Sequence, residues 1–335
     1  MPQDRSRHIV ITGASAGAGR AAAIAFGKRG CRVTLLARGR AGLSGARGDV
    51  EKAGGVALSI PTDVADAEAI EAAAEQAERE FGPIDVWINN AMATIFSPFS
   101  EVTVDEFRRV TEVTYLGQVY GTMSALKRMR QMNRGTIVNV GSALAYHGLP
   151  LQAAYCGAKF AVRGFTESIR SELIRERSRV RMSFVVLPAL DTPQFDWARN
   201  RLSDQPRPVA PVHEPEVAAA AILRAADFAP RELVVGASSF EVMAGSAVAP
   251  GYLDRKLADL GWSGQFSGEP AMDHEGNLFE AADEEKDYGT RGRFGDEARP
   301  SAHILAAGTA RRLIAATVPA ALAFAVTALL RRRSH

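Results

Sequence analysis

The sequence predicts an α/β fold: a doubly wound parallel sheet of about seven strands with helices on both faces. Three observations predict it. Strand-like and helix-like segments alternate over the first 190 residues. The strand-like segments are near-continuous apolar runs rich in Val and Ile, as suits strands covered on both faces. Helical stretches close on glycine, the residue favoured just past a helix end.

The elements follow in order. HIVIT (8–12) is the first strand, entered directly from MPQDRSR, which is not a secretory leader. GRAAAIAFGKRG (19–30) reads as a helix, and RVTLLA (32–37) as the second strand. GVALSI (55–60) is the third, and the Ala/Glu-rich run 64–82 is the helix after it. IDVWIN (84–89), GTIVNV (135–140) and VRMSFVVL (180–187) are the fourth to sixth, with a long helix over 102–131 between the first two of these. RELVVG (231–236) is the seventh. Repeated βα units of this kind imply right-handed crossovers.

Composition sets limits. A chain of 335 residues with 47% hydrophobic content can bury a large core, and a net charge of +2 gives no global field for nucleic acid. The six histidines have no metal-ligand spacing, so no metal site is expected. Cys31 and Cys156 form no disulfide framework, which suits a reducing compartment. Three regions are expected. Residues 1–262 form the α/β unit. Residues 263–302, rich in Gly, charge and breakers, read as a surface arm or linker. Residues 303–335 hold the Arg-flanked, charge-free run 313–330. Eighteen helical residues span ~27 Å, close to a bilayer core, so this C-terminal hydrophobic helix reads as a membrane attachment. A helix docked in an oligomer interface is the competing reading. Were it an anchor, the α/β unit would face the cytoplasm.

ITGASAGAGR (11–20) joins the first strand to the first helix. Gly13, Gly17 and Gly19 remove side chains where a backbone must approach a pyrophosphate, and the helix start offers N–H groups and a positive dipole end. This is the turn of a Rossmann-type dinucleotide site. The second strand ends at Arg38, with no acid near it. A guanidinium there suits the 2′-phosphate of NADP(H) rather than NAD(H), unless it is simply solvated. Asp63 could accept from an adenine amino group or cap the next helix.

Tyr155 stands one helical turn ahead of Lys159, and Ser142 ends the fifth strand thirteen residues earlier. With Thr12-Gly13-x-x-x-Gly17-x-Gly19, Asp63-Val64, Asn89-Asn90-Ala91, Gly141-Ser142 and Pro188, these residues resemble the short-chain dehydrogenase/reductase family over roughly residues 8–262. The resemblance implies that Gly13, Ser15, Gly17, Ala18, Gly19, Arg38, Asp63, Val64, Asn90, Tyr155, Lys159, Pro188 and Thr192 contact the cofactor. It implies that Tyr155 exchanges a proton with a carbonyl/alcohol pair and Ser142 holds the substrate oxygen. A phenol has a pKa of about 10, so a nearby Lys159 ammonium is expected to make it more acidic. A homodimer or homotetramer is expected too.

Two departures stand out. Met92 replaces a glycine of the pattern, and Thr114 stands where many members carry an asparagine that helps hold a proton-relaying water. Thr114 is thus a tentative catalytic residue, and it keeps open the alternative of a weakly active cofactor-binding scaffold or redox sensor. Tyr146, Phe195 and Trp197 are candidate substrate-side residues and hint at a lipophilic small molecule.

Overall fold

The computed structural model describes residues 7–272 and 275–309. Its main sheet has eight strands: β1 (His8–Thr12), β2 (Arg32–Ala37), β3 (Val56–Pro61), β4 (Val86–Asn89), β5 (Thr136–Ser142), β6 (Arg181–Leu187), β7 (Glu232–Val235) and β8 (Ile304–Ala306). Their order across the sheet is 8-7-6-5-4-1-2-3. The seven expected strands are parallel, while β8 pairs antiparallel with β7. The winding reverses between β1 and β4, which opens a crevice at the carboxyl ends of those strands.

Alternation along each strand builds two cores. Ile9 and Ile11 of β1, with Val86 and Ile88 of β4, face one layer. Val10 and Trp87, the residues between them, face the other. The helices are α1 (Gly17–Gly27), α2 (Arg40–Lys52), α3 (Ala67–Phe81), α4 (Val104–Thr111), α5 (Gly117–Met132), α6 (Ala153–Arg175) and α7 (Pro215–Phe228). The first layer takes α1, α2 and α7, and the second takes α3, α5 and α6. Ala21, Ala22 and Ala23 of α1 share that layer with Ala218, Ala221 and Ala225 of α7, all buried. Small side chains let the two helices approach closely, and each is fixed tightly over the sheet.

The single long helix expected over 102–131 is interrupted. Between α4 and α5 lies a π turn, Glu112–Leu116. A π turn inserts an extra residue into the spiral and redirects side chains, a feature frequent at functional sites. Sequence periodicity does not reveal it, because the apolar face continues on either side.

After β7 come α8 (Ala237–Val248), α9 (Pro250–Lys256) and a second π turn, Leu257–Gly261. The stretch expected to be a surface arm then runs back over the crevice and is packed against it. Leu278 is fully buried, and Asp283 and Phe294 are each 7% exposed. Backbone bonds carry much of the attachment: Gly17 N–H donates to the Gly289 carbonyl (3.2 Å), and Gly42 N–H to that of Asp283 (3.1 Å). A Gly-rich, charged segment shows no apolar periodicity, yet its peptide groups, its ion pairs and the buried Leu278 and Phe294 hold it. The arm ends in β8, whose edge pairing the sequence reading missed. The run 313–330 lies outside the described residues. Among the described residues, no helix is long and apolar enough to cross a membrane.

Candidate active site

The glycine turn leaves β1 at Thr12 and enters α1 at Gly17. Gly13 (φ +65°) and Gly17 (φ +55°) adopt left-handed conformations that a side chain would strain. At Gly19 the reason is space: a Cβ would lie 2.1 Å from the Gly13 carbonyl oxygen and 2.5 Å from Asn90 Nδ2. Asn90 Nδ2 donates to the carbonyls of Thr12 and Gly13, both at 3.1 Å. Thr12 Oγ1 accepts from the N–H groups of Asn90 (2.9 Å) and Ala91 (3.1 Å). The turn is thereby bolted to the end of β4. No side chain caps the start of α1, and no acid stands in its first turn. These residues fit a dinucleotide pyrophosphate: Ser15, Gly17 and Ala18 line a cavity of about 920 Å³ at the start of a helix that no side chain caps, although the arm carbonyl of Gly289 takes the Gly17 N–H.

Arg38, Asp63 and Val64 lie at the same end of that cavity. The Arg38 guanidinium is partly buried and has protein partners. It donates to the arm carbonyls of Asn277, Leu278 (3.4 Å) and Phe279 (2.9 Å). Asp63 accepts from Ala65 N–H (3.0 Å) and from the Arg109 guanidinium. Burial works to raise the Asp63 pKa, but those two bonds outweigh it and hold the carboxyl below its usual range.

Ser142, Tyr155 and Lys159 meet where β5 ends against the first turns of α6, and all three line the cavity. The Ser142 hydroxyl lies beside the phenol and works to make it more acidic. Ser142 Oγ accepts from Leu144 N–H at 3.1 Å. Lys159 is 2% exposed; its ammonium donates to the Val140 carbonyl at 2.8 Å and lies 5.5 Å from the centre of the Tyr155 ring. Burial acts against the acidification expected from Lys159. It pushes the Tyr155 phenol above its ordinary range, opposed by the Ser142 hydroxyl. Burial also lowers Lys159 to about 7. A low-dielectric site disfavours both charged forms, and Lys159 turns its charge to a strand carbonyl instead of the phenol oxygen.

Other expected residues fall on both sides of the question. Pro188, Thr192, Phe195 and Trp197 line the cavity, as does Met92. Phe195 packs on Phe96 (5.7 Å) and Phe294 (5.8 Å), so it is at once wall and core. Tyr146 is displaced from its expected place. It is buried, donates its hydroxyl to Glu232 and carries Arg163 over its ring at 3.9 Å. The turn after Ser142 points the ring into the core behind β7 rather than into the cavity. Thr114 is fully buried, and its hydroxyl both donates to Ala93 O (2.8 Å) and accepts from Ala93 N–H (2.9 Å). It braces the loop after β4. Among the described residues there is no group of His, Cys, Asp or Glu that could hold a metal ion.

Several cavity residues escaped the sequence reading. Gln152 stands one turn before Tyr155, and its amide donates to Gln265 at 2.7 Å. Tyr252, Leu257 and Leu260, from the segment after β7, form part of the apolar wall. Asn277, Ala282 and Asp283 come from the arm. Gln152 had a legible signal, its helical spacing from Tyr155; the arm residues had none.

A cavity over a glycine turn, with an apolar far wall and at the switch point of a parallel sheet, stands where α/β proteins bind nucleotides. Comparison narrows this. Residues 7–202 match the family model for short chain dehydrogenases, and the chain belongs to that family. Its cofactors are the nicotinamide dinucleotides. An uncharacterized oxidoreductase, YxnA of Bacillus subtilis, is 33% identical over 84% of this chain and 80% of that protein. The 3-ketodihydrosphingosine reductase of Bos taurus is 33% identical over 56% of this chain. A 3-dehydrosphinganine reductase of Danio rerio is 36% identical over the same share, and the chain spans only 58% of either of these two. Among solved structures, levodione reductase matches with a TM-score of 0.54 and 29% identity, over 56% of this chain and 74% of that one. NAD+-bound xylitol dehydrogenase gives 0.53 and 28%, over 55% and 71%.

Proposed function

We propose that the protein interconverts a carbonyl and an alcohol on a lipophilic small molecule, with NADP(H) as the redox partner. The observation that carries this reading is the meeting of Ser142, Tyr155 and Lys159 at the junction of the dinucleotide end and the apolar end of one cavity. Tyr155 holds the proton given to a carbonyl oxygen in reduction, or takes it from an alcohol in oxidation. Ser142 stands beside that phenol and stabilises charge developing on the substrate oxygen. Lys159, at about 7, gains or loses its proton near neutrality, and its charged form makes the phenol more acidic. The nicotinamide, when bound, supplies or takes the hydride.

Arg38 supports NADP(H): it lines the cavity at the end of β2, and a 2′-phosphate that replaced its neutral arm carbonyls would give it a charge-assisted pair. Leu149, Phe195, Val209, Leu257 and Leu260 line the cavity and support a lipophilic substrate. So do the names of the two sphingoid-ketone reductases among the relatives. Exposed Phe107, Met123 and Phe160 on α4, α5 and α6 support the homo-oligomer. Attachment to a membrane, with this domain on the cytoplasmic side, rests on the sequence of 313–330.

The test is NADPH consumption against ketones and aldehydes of increasing chain length. Tyr155→Phe should lower turnover by about 10²-fold or more while retaining nucleotide affinity. A variant matching the parent on every substrate rejects the mechanism. The commitment of Thr114 to Ala93 favours a second reading, a cofactor-binding scaffold of low turnover, and that same result would support it.

A further inference from the structure

The carboxylate that β2 lacks is supplied by the arm. Asp283 is 7% exposed and lines the same cavity as Ser15 and Arg38. Its Oδ2 is buried and has no hydrogen-bond partner, an arrangement that calls for a donor. The position is fixed by backbone: Gly42 N–H donates to the Asp283 carbonyl and Ala41 N–H to that of Glu284, both at 3.1 Å. It is also fixed by space. A Cβ at Gly39 would lie 1.9 Å from Asp283 Oδ1, and one at Gly42 would lie 2.3 Å from Oδ2. Two glycines just after β2 thus admit a side chain from 240 residues further along the chain.

Neither neighbouring guanidinium is hydrogen-bonded to it. Arg38 donates to three arm carbonyls, and Arg109 pairs with Asp63. We propose that Asp283 is a specificity-determining residue at the adenosine ribose: it accepts from an unmodified 2′-hydroxyl and repels a 2′-phosphate, so that it opposes Arg38. Selectivity between NAD(H) and NADP(H) is then a balance struck between the end of β2 and the arm, rather than a property of β2 alone. A hydroxyl satisfies the unpartnered oxygen; a phosphate brings like charge against it in a water-poor pocket, where screening is weak. The inference rests on the dinucleotide reading of the cavity.

The experiment is equilibrium titration of the full chain with NADPH and with NADH, followed by nicotinamide fluorescence. Asp283→Asn and Asp283→Ser should each shift the ratio of the two Kd values toward NADPH by at least about tenfold. Glu284→Gln, a charge removed from the half-exposed neighbour that pairs with Arg40, should leave the ratio within about twofold. Thermal melting checks that each variant is folded, and the serine variant serves if the asparagine variant is not. An unchanged ratio in a folded Asp283 variant that still binds both nucleotides overturns the proposal and leaves the functional reading intact. Failure of the parent to bind either nucleotide overturns both.

Discussion

The β5–α6 corner and the arm over residues 275–299 border the same cavity but are held by different physics. The corner is a product of packing: strand and helix are locked by buried apolar neighbours, and Lys159 is pinned to Val140. The arm is a product of hydrogen bonds and charges, with Arg38, Arg20 and the α2 backbone as its anchors. Hydrophobic packing writes itself into sequence as periodicity. Bonds made by peptide carbonyls leave no such mark, since any residue can supply them.

The sharpest way to expose the packed half is to add one methyl group. Gly19→Ala places a Cβ 2.1 Å from a backbone oxygen, and neither the turn nor Asn90 can yield. The expected cost is about 2–3 kcal/mol of stability, with loss of nucleotide binding, measured by thermal melting and titration. Gly157→Ala is the control. It lies exposed on α6 between Tyr155 and Lys159 with nothing within 4 Å of an added Cβ. It should stabilise by about 0.5–1 kcal/mol, because a glycine inside a helix carries excess unfolded-state entropy. If the two substitutions cost the same, steric demand is not what fixes the glycine turn.

What was legible follows that division. Seven strands were readable because all are apolar runs, most of them buried on both faces, with the edge strand β3 (Val56–Pro61) the partly exposed exception. The Ser142, Tyr155 and Lys159 set was readable because strand-end and helical-turn spacings place the three together. The π turn at Glu112–Leu116 was not, since it alters where Thr114 points without changing which residues are apolar. Tyr146 was misplaced because its direction depends on a partner, Glu232, 86 residues away. Asp283 was invisible for the same reason, its significance arising only when the chain returns across Gly39 and Gly42.

A smaller effect separates burial from charge pairing at the corner. Lys159 titrates at about 7 in the folded protein and near 10.5 when unfolded, so the unfolded chain binds the extra proton between those values. Stability from this group is therefore full above the unfolded value and is lost as pH falls toward 7. The rise should amount to about 2 kcal/mol from pH 7 to 9 in chemical denaturation. Cys156, raised to about 11 by burial, works in the opposite sense above pH 9, which sets the upper limit of the window. Lys159→Met should remove the rise. A parent without such a slope would mean that the ammonium is charged and paired rather than buried and neutral.

The arm should respond least in stability and most in access. Arg20 is 5% exposed and bridges Asp49 (2.7 Å) on α2 to Asp287 on the arm. Asp287 is 39% exposed, so solvent screens its share of the bridge. Asp287→Asn should cost only about 1 kcal/mol, a degree or two in Tm for a chain of this size. Yet the same loss falls on a segment with few apolar contacts, whose local opening is governed by just such bonds. Cleavage by trypsin within 275–299, at Lys286 or Arg291, should therefore quicken about fivefold while cleavage in the sheet domain does not change. Equal acceleration at both places would show that the arm opens only when the whole domain unfolds, and the contrast between the two regions would disappear.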